Sequence, residues 1–138
     1  TQSRSSAASD VYKRQIEDCC FELDNHVSSL HLGIEFNGEI ISVLSALPIQ
    51  CENFPNLMSM RLRGISTLQP FQKKGLGSQL IVEIEKRLLK LKKIKLLWLN
   101  ARVSAKSFYQ NLGYETMGKT FNVQGVGVHQ FMYKKLLE

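Results

Sequence analysis

The 138-residue chain has only three cysteines, Cys19, Cys20 and Cys51. That is too few, and too irregularly spaced, for a disulfide framework or a zinc site. No Cys/His pairing signature accompanies any of them, so neither a cysteine nucleophile nor a metal is expected. The sulfurs read as reduced thiols, which points to a cytoplasmic protein. No run of about 18 apolar residues is present, so no membrane span is expected. No charged-then-apolar leader opens the chain, so no secretion signal is expected either. What is present suits one soluble domain: 43% of the residues are apolar and 22% are charged, and a chain of this size can bury a core without staples.

The formal charge is +6 and unevenly placed. Lys86, Arg87, Lys90, Lys92, Lys93 and Lys95 crowd one short stretch. Such a cluster could meet a polyanion. No aromatic interleaving and no nucleic-acid motif accompanies it, so it reads instead as the solvated face of a helix. Residues 1–15, TQSRSSAASDVYKRQ, have no apolar period and cannot offset the entropy of ordering. Ser5 to Gln15 resembles translated sequencing-adapter DNA, so the segment is expected to be a non-native or disordered leader that replaces a lost amino terminus. Without its three basic residues and one acidic residue the charge falls to about +4, which weakens the case for nucleic acid further.

Periodicity outlines the rest. Ser29 to Phe36 alternates in part and ends at Asn37-Gly38, a pair suited to a type I′ hairpin turn. Glu39 to Ile49 reads as the return strand, and Met58 to Leu68 as a third. In the third, Met58, Met60 and Leu62 share one face, and Arg61 and Arg63 the other. From Gly75 to Leu91 the period changes: Leu80, Ile81, Ile84, Leu88 and Leu91 form a helical stripe. Ile94 to Asn100 is a short apolar run typical of a central strand. Ser104 to Leu112 reads as a second helix, with Gly113 placed to cap its carboxyl end. Glu115 to Phe121 and Gly127 to Leu136 read as closing strands. This order predicts an α/β (α+β) fold, a mixed sheet with helices packed on it.

The most informative segment is Gln72-Lys73-Lys74-Gly75-Leu76-Gly77, lying between a strand and a helix. Glycine lets backbone come close to a ligand. A helix start presents unpaired N–H groups and the positive end of the macrodipole. Two lysines add charge, so the segment can hold an anion. Taken alone it is equally a tight strand-to-helix turn. It is not a P-loop, because no G-x-x-x-x-G-K-[ST] string exists here. Nor is it a dinucleotide fingerprint, because the third glycine is absent.

Two blocks carry a closer likeness. Leu68 to Leu80, LQPFQKKGLGSQL, resembles the acetyl-CoA loop of the GNAT acetyltransferase superfamily, whose signature is Q/R-x-x-G-x-G/A. Asn100 to Tyr114, NARVSAKSFYQNLGY, resembles that superfamily's second block: a strand ending in Asn, then a helix with Ala-x-x-Phe-Tyr and Leu-Gly-Tyr. The tail around Gly125 to Met132 and the stretch Cys20 to Asp24 resemble the ElaA-like group. The likeness covers roughly residues 16–138, taken as the acetyltransferase domain. Lys73 stands where the family usually has Gly.

The resemblance implies a mostly antiparallel twisted sheet flanked by helices, with the family's first strand missing from this chain. It implies an N-acetyltransferase in which a neutral amine attacks acetyl-CoA directly. Ile65, Ser66 and Thr67 would pair with the pantetheine arm. Gln72, Lys73, Lys74, Gly75, Leu76, Gly77 and Ser78 would wrap the pyrophosphate, and Asn100 would bond the pantetheine. Tyr109 matches the family's general acid; unperturbed, a tyrosine is a protonated donor at neutral pH. No general base is clear. His129 matches the histidine of the ElaA-like tail, a residue type able to serve as base, although a lone histidine is more often structural. The acceptor would be a small-molecule or protein amine, and a homodimer is left open. A non-catalytic acyl-CoA-binding module is the competing reading.

Overall fold

The computed structural model describes residues 29–136. The leader, Cys19, Cys20 and the expected loss of the first strand fall outside the described residues. Seven strands form one mixed, mostly antiparallel sheet in the order β1-β2-β3-β4-β7-β5, with β6 also pairing β7. Their bounds are β1 Leu30–Phe36, β2 Glu39–Leu47, β3 Ser59–Thr67, β4 Leu96–Arg102, β5 Glu115–Thr116, β6 Phe121–Val123 and β7 Gly127–Lys135. Among the described residues two α-helices accompany them, α1 Leu76–Leu91 and α2 Lys106–Asn111. The chain divides into two compact units, Arg63–Leu88 with residues up to Leu47, and Pro48–Leu62 with residues from Leu89 onward.

In the first unit β1 and β2 form the expected hairpin. Asn37 and Gly38 have φ of 53° and 80°, the two positive values a type I′ turn needs. Phe36 pairs with Glu39, and a bulge lies between Ile34 and Glu35. Alternation along β2 buries Ser42, Leu44 and Ala46, and Ile41, which the register skips at the bulge, is buried as well. The helical stripe of α1 buries Leu76, Leu80, Ile81, Ile84 and Leu88, so period 3.6 correctly named the inward face. Leu91, predicted to belong to that stripe, is 59% exposed. It is the helix's last residue, and Lys92 follows at φ 59°, so the chain leaves the helical path there.

In the second unit β4 is the central strand. It runs parallel to β3 over Ser59↔Leu96 to Arg61↔Trp98 and antiparallel to β7 over Leu96↔Lys135 to Arg102↔His129. Met60 and Leu62 are buried as predicted, whereas Met58 lies before the strand and is 57% exposed. The loop after Pro48 is held on this unit by side chains. Gln50 Nε2 donates to the Leu57 and Phe54 carbonyls at 2.6 and 3.1 Å. Trp98 Nε1 donates to Ile49 O at 2.9 Å, and Cys51 N donates to Ser59 Oγ at 2.7 Å. Cys51 is a buried free thiol beside Leu96 and Phe131.

The predicted closing strand Glu115 to Phe121 is two short strands, β5 and β6. The reason is a side chain from β7. Gln130 Nε2 takes the carbonyls of Met117 and Gly118 at 3.0 and 3.2 Å, and Gly118 has φ 79°. A side chain thus satisfies the backbone where the ladder stops. Among the described residues no helix is long and apolar enough to cross a membrane.

Candidate functional site

The turn from β3 into α1 lies in the first unit. After Thr67 the chain makes one 3-10 turn, Gln69–Phe71, and enters the lysine pair. Lys73 has φ 64° and Gly75 φ 81°. Two left-handed residues so close together reverse the backbone sharply. Lys73 stands in the left-handed region without glycine's freedom, which costs about 1–2 kcal/mol. It also stands where the family usually carries glycine, so the backbone shape explains that preference.

At the start of α1 Gln79 N donates to Gly75 O at 3.1 Å. The amides of Leu76, Gly77 and Ser78 therefore have no acceptor one turn back in the helix. No acidic residue lies in the first turn of α1, and Lys73 and Lys74 are exposed. These features fit an anion at the helix start.

The strand before this turn is tied down from both sides. Ser42 Oγ donates to Ser66 O at 3.2 Å and shares a 2.7 Å hydrogen bond with Thr67 Oγ1. Gln72 Nε2 donates to Thr67 O at 3.0 Å. Gln72 was expected within the anion-holding segment; its side chain closes that segment onto β3. Ser42 was not anticipated, because a serine inside an apolar strand carries no motif. Ile65 is half-buried, next to the tied residues Ser66 and Thr67.

The second unit carries the remaining expected residues. Parallel pairing of β3 with β4 stops at Arg61↔Trp98, while β4 runs on to Arg102. Asn100 lies in this further stretch, opposite Phe131 on β7, and His129 lies opposite Arg102. Residues two apart on a strand share a face, as do directly opposed residues. Asn100 and His129 therefore project from one face of the β4–β7 ladder. His129 Nδ1 lies 2.9 Å from the Gly127 carbonyl. A carbonyl only accepts, so Nδ1 carries the proton and Nε2 is the acceptor nitrogen. The ring stacks on Phe121 at 5.9 Å.

Tyr109 is buried on α2. Its ring meets Phe108 edge-on at 5.0 Å and Tyr114 edge-on at 6.0 Å. Burial removes solvent from the phenol and raises its pKa above the ordinary 10.0, so it holds its proton at neutral pH. The helix ends as predicted, in a Schellman turn: Tyr114 N donates to Tyr109 O at 3.1 Å and Gly113 N to Gln110 O at 3.0 Å. Gly113 has φ 95°, a conformation that an L side chain would strain. Lys134 Nζ donates to the Leu112 carbonyl beyond the helix at 2.8 Å. Lys134 faces the opposite way from its ladder neighbours Tyr133 and Lys135. The structure thus brings Asn100 and His129 to one face, while the end of α2 is held from the other. Among the described residues no group of three His, Cys, Asp or Glu side chains could hold a metal.

Comparison with known proteins agrees with this architecture. The family model for the acetyltransferase (GNAT) domain matches residues 3–136. The N-acetyltransferase YitI of Bacillus subtilis (strain 168) is 34% identical over 123 residues, 89% of this chain and 82% of that one. An aminoglycoside 6'-N-acetyltransferase solved with coenzyme A superposes with a TM-score of 0.67 at 12% identity, over 96% of this chain and 92% of that one. ElaA of Escherichia coli superposes with a TM-score of 0.65 at 15% identity, over 94% and 86% of the two chains. The last two are likenesses of fold. By the match along nearly its whole length, this chain belongs to the GNAT acetyltransferase family.

Proposed function

We propose that this chain transfers the acetyl group of acetyl-CoA to an amine by direct attack. The observation that carries the reading is the Lys73–Gly75 turn, which precedes helix-start amides with no acceptor in their own helix. A pyrophosphate is the anion such a turn suits, and coenzyme A is what the aminoglycoside acetyltransferase neighbour holds. Gln72 to Ser78 take the pyrophosphate. The backbone of Ile65, Ser66 and Thr67, and the Asn100 amide, hold the pantetheine.

The reaction needs one proton removed and one supplied. The amine nitrogen bonds to the thioester carbonyl carbon, and the C–S bond breaks. His129 Nε2 accepts the proton lost by the nitrogen. Tyr109 gives its proton to the departing thiolate, and solvent exchange restores both groups. Burial supports the second role, because it keeps the phenol protonated at neutral pH. The acceptor is a small-molecule or protein amine. The reaction belongs in the cytoplasm, where Cys51 stays a thiol.

Two measurements test this. Acetyl-CoA should raise the melting temperature at concentrations well above its Kd. Thiol release should then exceed background with at least one amine in a panel of small amines and amino-terminal peptides. Absence of stabilisation overturns the reading. Stabilisation without thiol release from any amine would instead favour a non-catalytic acyl-CoA-binding module.

A further inference from the structure

We propose that Lys134 is a positioning residue for the transferase reaction, holding α2 so that Tyr109 stays in place; this rests on the reading of Tyr109 as the acid. Helix α2 has only six residues. A helix that short has little stability of its own and depends on its ends and its packing. Its amino end has no side-chain cap: Ala105 stands at that position and makes no capping bond. A 3-10 turn, Val103–Ala105, leads into it with Lys106 N donating to Val103 O, and the side chain that holds the helix lies at the carboxyl end.

There three carbonyls have donors. Tyr109 O accepts from Leu112 N and Tyr114 N, and Gln110 O accepts from Gly113 N. The Leu112 carbonyl is taken by the Lys134 ammonium at 2.8 Å. A charged donor makes this bond stronger than a neutral one, and a cation there also suits the negative end of the helix. The same ammonium lies 5.6 Å from the centre of the Tyr114 ring, and that ring meets Tyr109 edge-on at 6.0 Å. One side chain of β7 thus touches both groups that flank Tyr109 in the Schellman turn. Gly113 leaves the room for it: a Cβ at that position would stand 3.3 Å from Lys134 Cε and Nζ.

The partner of Lys134 across the ladder is Leu97, the second residue of β4. Lys134 is the penultimate residue of β7, still within the ladder, and that pairing with a buried leucine gives its side chain a fixed base. The Tyr109 ring is fixed at the end of α2 that Lys134 grips. A shift of that end moves the phenol away from the sulfur it must protonate.

The test uses the full chain, acetyl-CoA and the amine that turns over fastest in the panel. Lys134→Met keeps the stem and removes the ammonium. It should lower kcat by about tenfold, since small misplacements of a reacting group are costly, and leave the acetyl-CoA Kd within about twofold. Lys134→Arg, which can still donate to Leu112 O, should recover most of that loss. In a Tyr109→Phe background, Lys134→Met should change kcat by less than about twofold, because the group it positions is gone. An equal loss in both backgrounds overturns the proposal, as does a rise in Kd matching the fall in kcat. Tyr109→Phe with unchanged kcat, or a wild-type chain that turns over no amine, overturns the reading beneath it and this proposal together. Melting curves for every variant separate these results from unfolding.

Discussion

The two units handle ligand chemistry with different materials. In the first, the candidate anion site is mostly main chain: two left-handed residues, a helix start and amides with no acceptor in the helix. In the second, the candidate groups are side chains: Asn100 placed by the ladder, His129 held on Gly127 and Phe121, and Tyr109 between Phe108 and Tyr114. Main chain is well suited to holding a phosphate, because amides are rigid, numerous and uncharged. Proton transfer needs a particular functional group in one orientation. Substitution should therefore affect affinity in the first unit and turnover in the second.

The strongest way to break that contrast is Tyr109→Phe. We expect kcat to fall by about a hundredfold, with the acetyl-CoA Kd within about twofold, as measured by steady-state kinetics and calorimetry. A large change in Kd would mean that the tyrosine belongs to binding. The complementary variant is Gly77→Asp, which sets a negative charge and a side chain at the start of α1. Acetyl-CoA affinity should drop by at least about tenfold through lost helix-start electrostatics, while kcat at saturation stays near the native value. Equal losses in kcat would erase the division of labour.

Stability gives a finer comparison. Gly113→Ala puts a Cβ at φ 95° and against Lys134. It should cost about 1–2 kcal/mol in chemical denaturation, with loss of activity where the end of α2 shifts. Lys73→Gly should do the reverse in the first unit. Relief of the left-handed strain outweighs glycine's entropy in the unfolded chain, for a gain of up to about 1 kcal/mol. A destabilised Lys73→Gly protein would show that the Lys73 side chain makes a contact worth more than its strain. The smallest difference is expected in alkali. An unfolded tyrosine ionises near pH 10, whereas burial holds the Tyr109 proton to higher pH. Unfolding then releases a proton, so this contribution is intact below about pH 10 and is lost as the pH rises beyond it. Tyr109→Phe should show a shallower alkaline loss of stability than the native chain; identical slopes would mean that the phenol ionises alike in both states.

Much of the fold could be read from residues whose conformational demands are local. Asn37-Gly38 allowed a hairpin and little else, and both adopt positive φ. The apolar stripe from Leu80 to Leu88 could be buried only by a helix. Gly113 ended α2 as a capping glycine should. Errors came where local pattern met a long-range partner. Glu115 to Phe121 has the residues of one strand, but the Gln130 side chain takes two of its carbonyls and interrupts it. Leu91 fits the helical stripe, but the turn at Lys92 leaves it in solvent. Among the candidate site residues, Tyr109, Asn100, His129 and the loop were singled out by their motifs. Ser42 and Lys134 were not, since a lone serine or lysine on a strand carries no local sign of the carbonyl it will reach.

By itself the sequence determined the order of the elements, the two motif blocks and the type I′ hairpin turn, because turns, caps and amphipathic faces depend on neighbours within a few residues. Only the tertiary structure decided the rest: that β3 and β4 pair for three residues, that Asn100 and His129 share a face, and that Lys134 grips the end of α2. Those facts depend on register between strands far apart in the chain. A shift of one residue would turn every side chain to the other face.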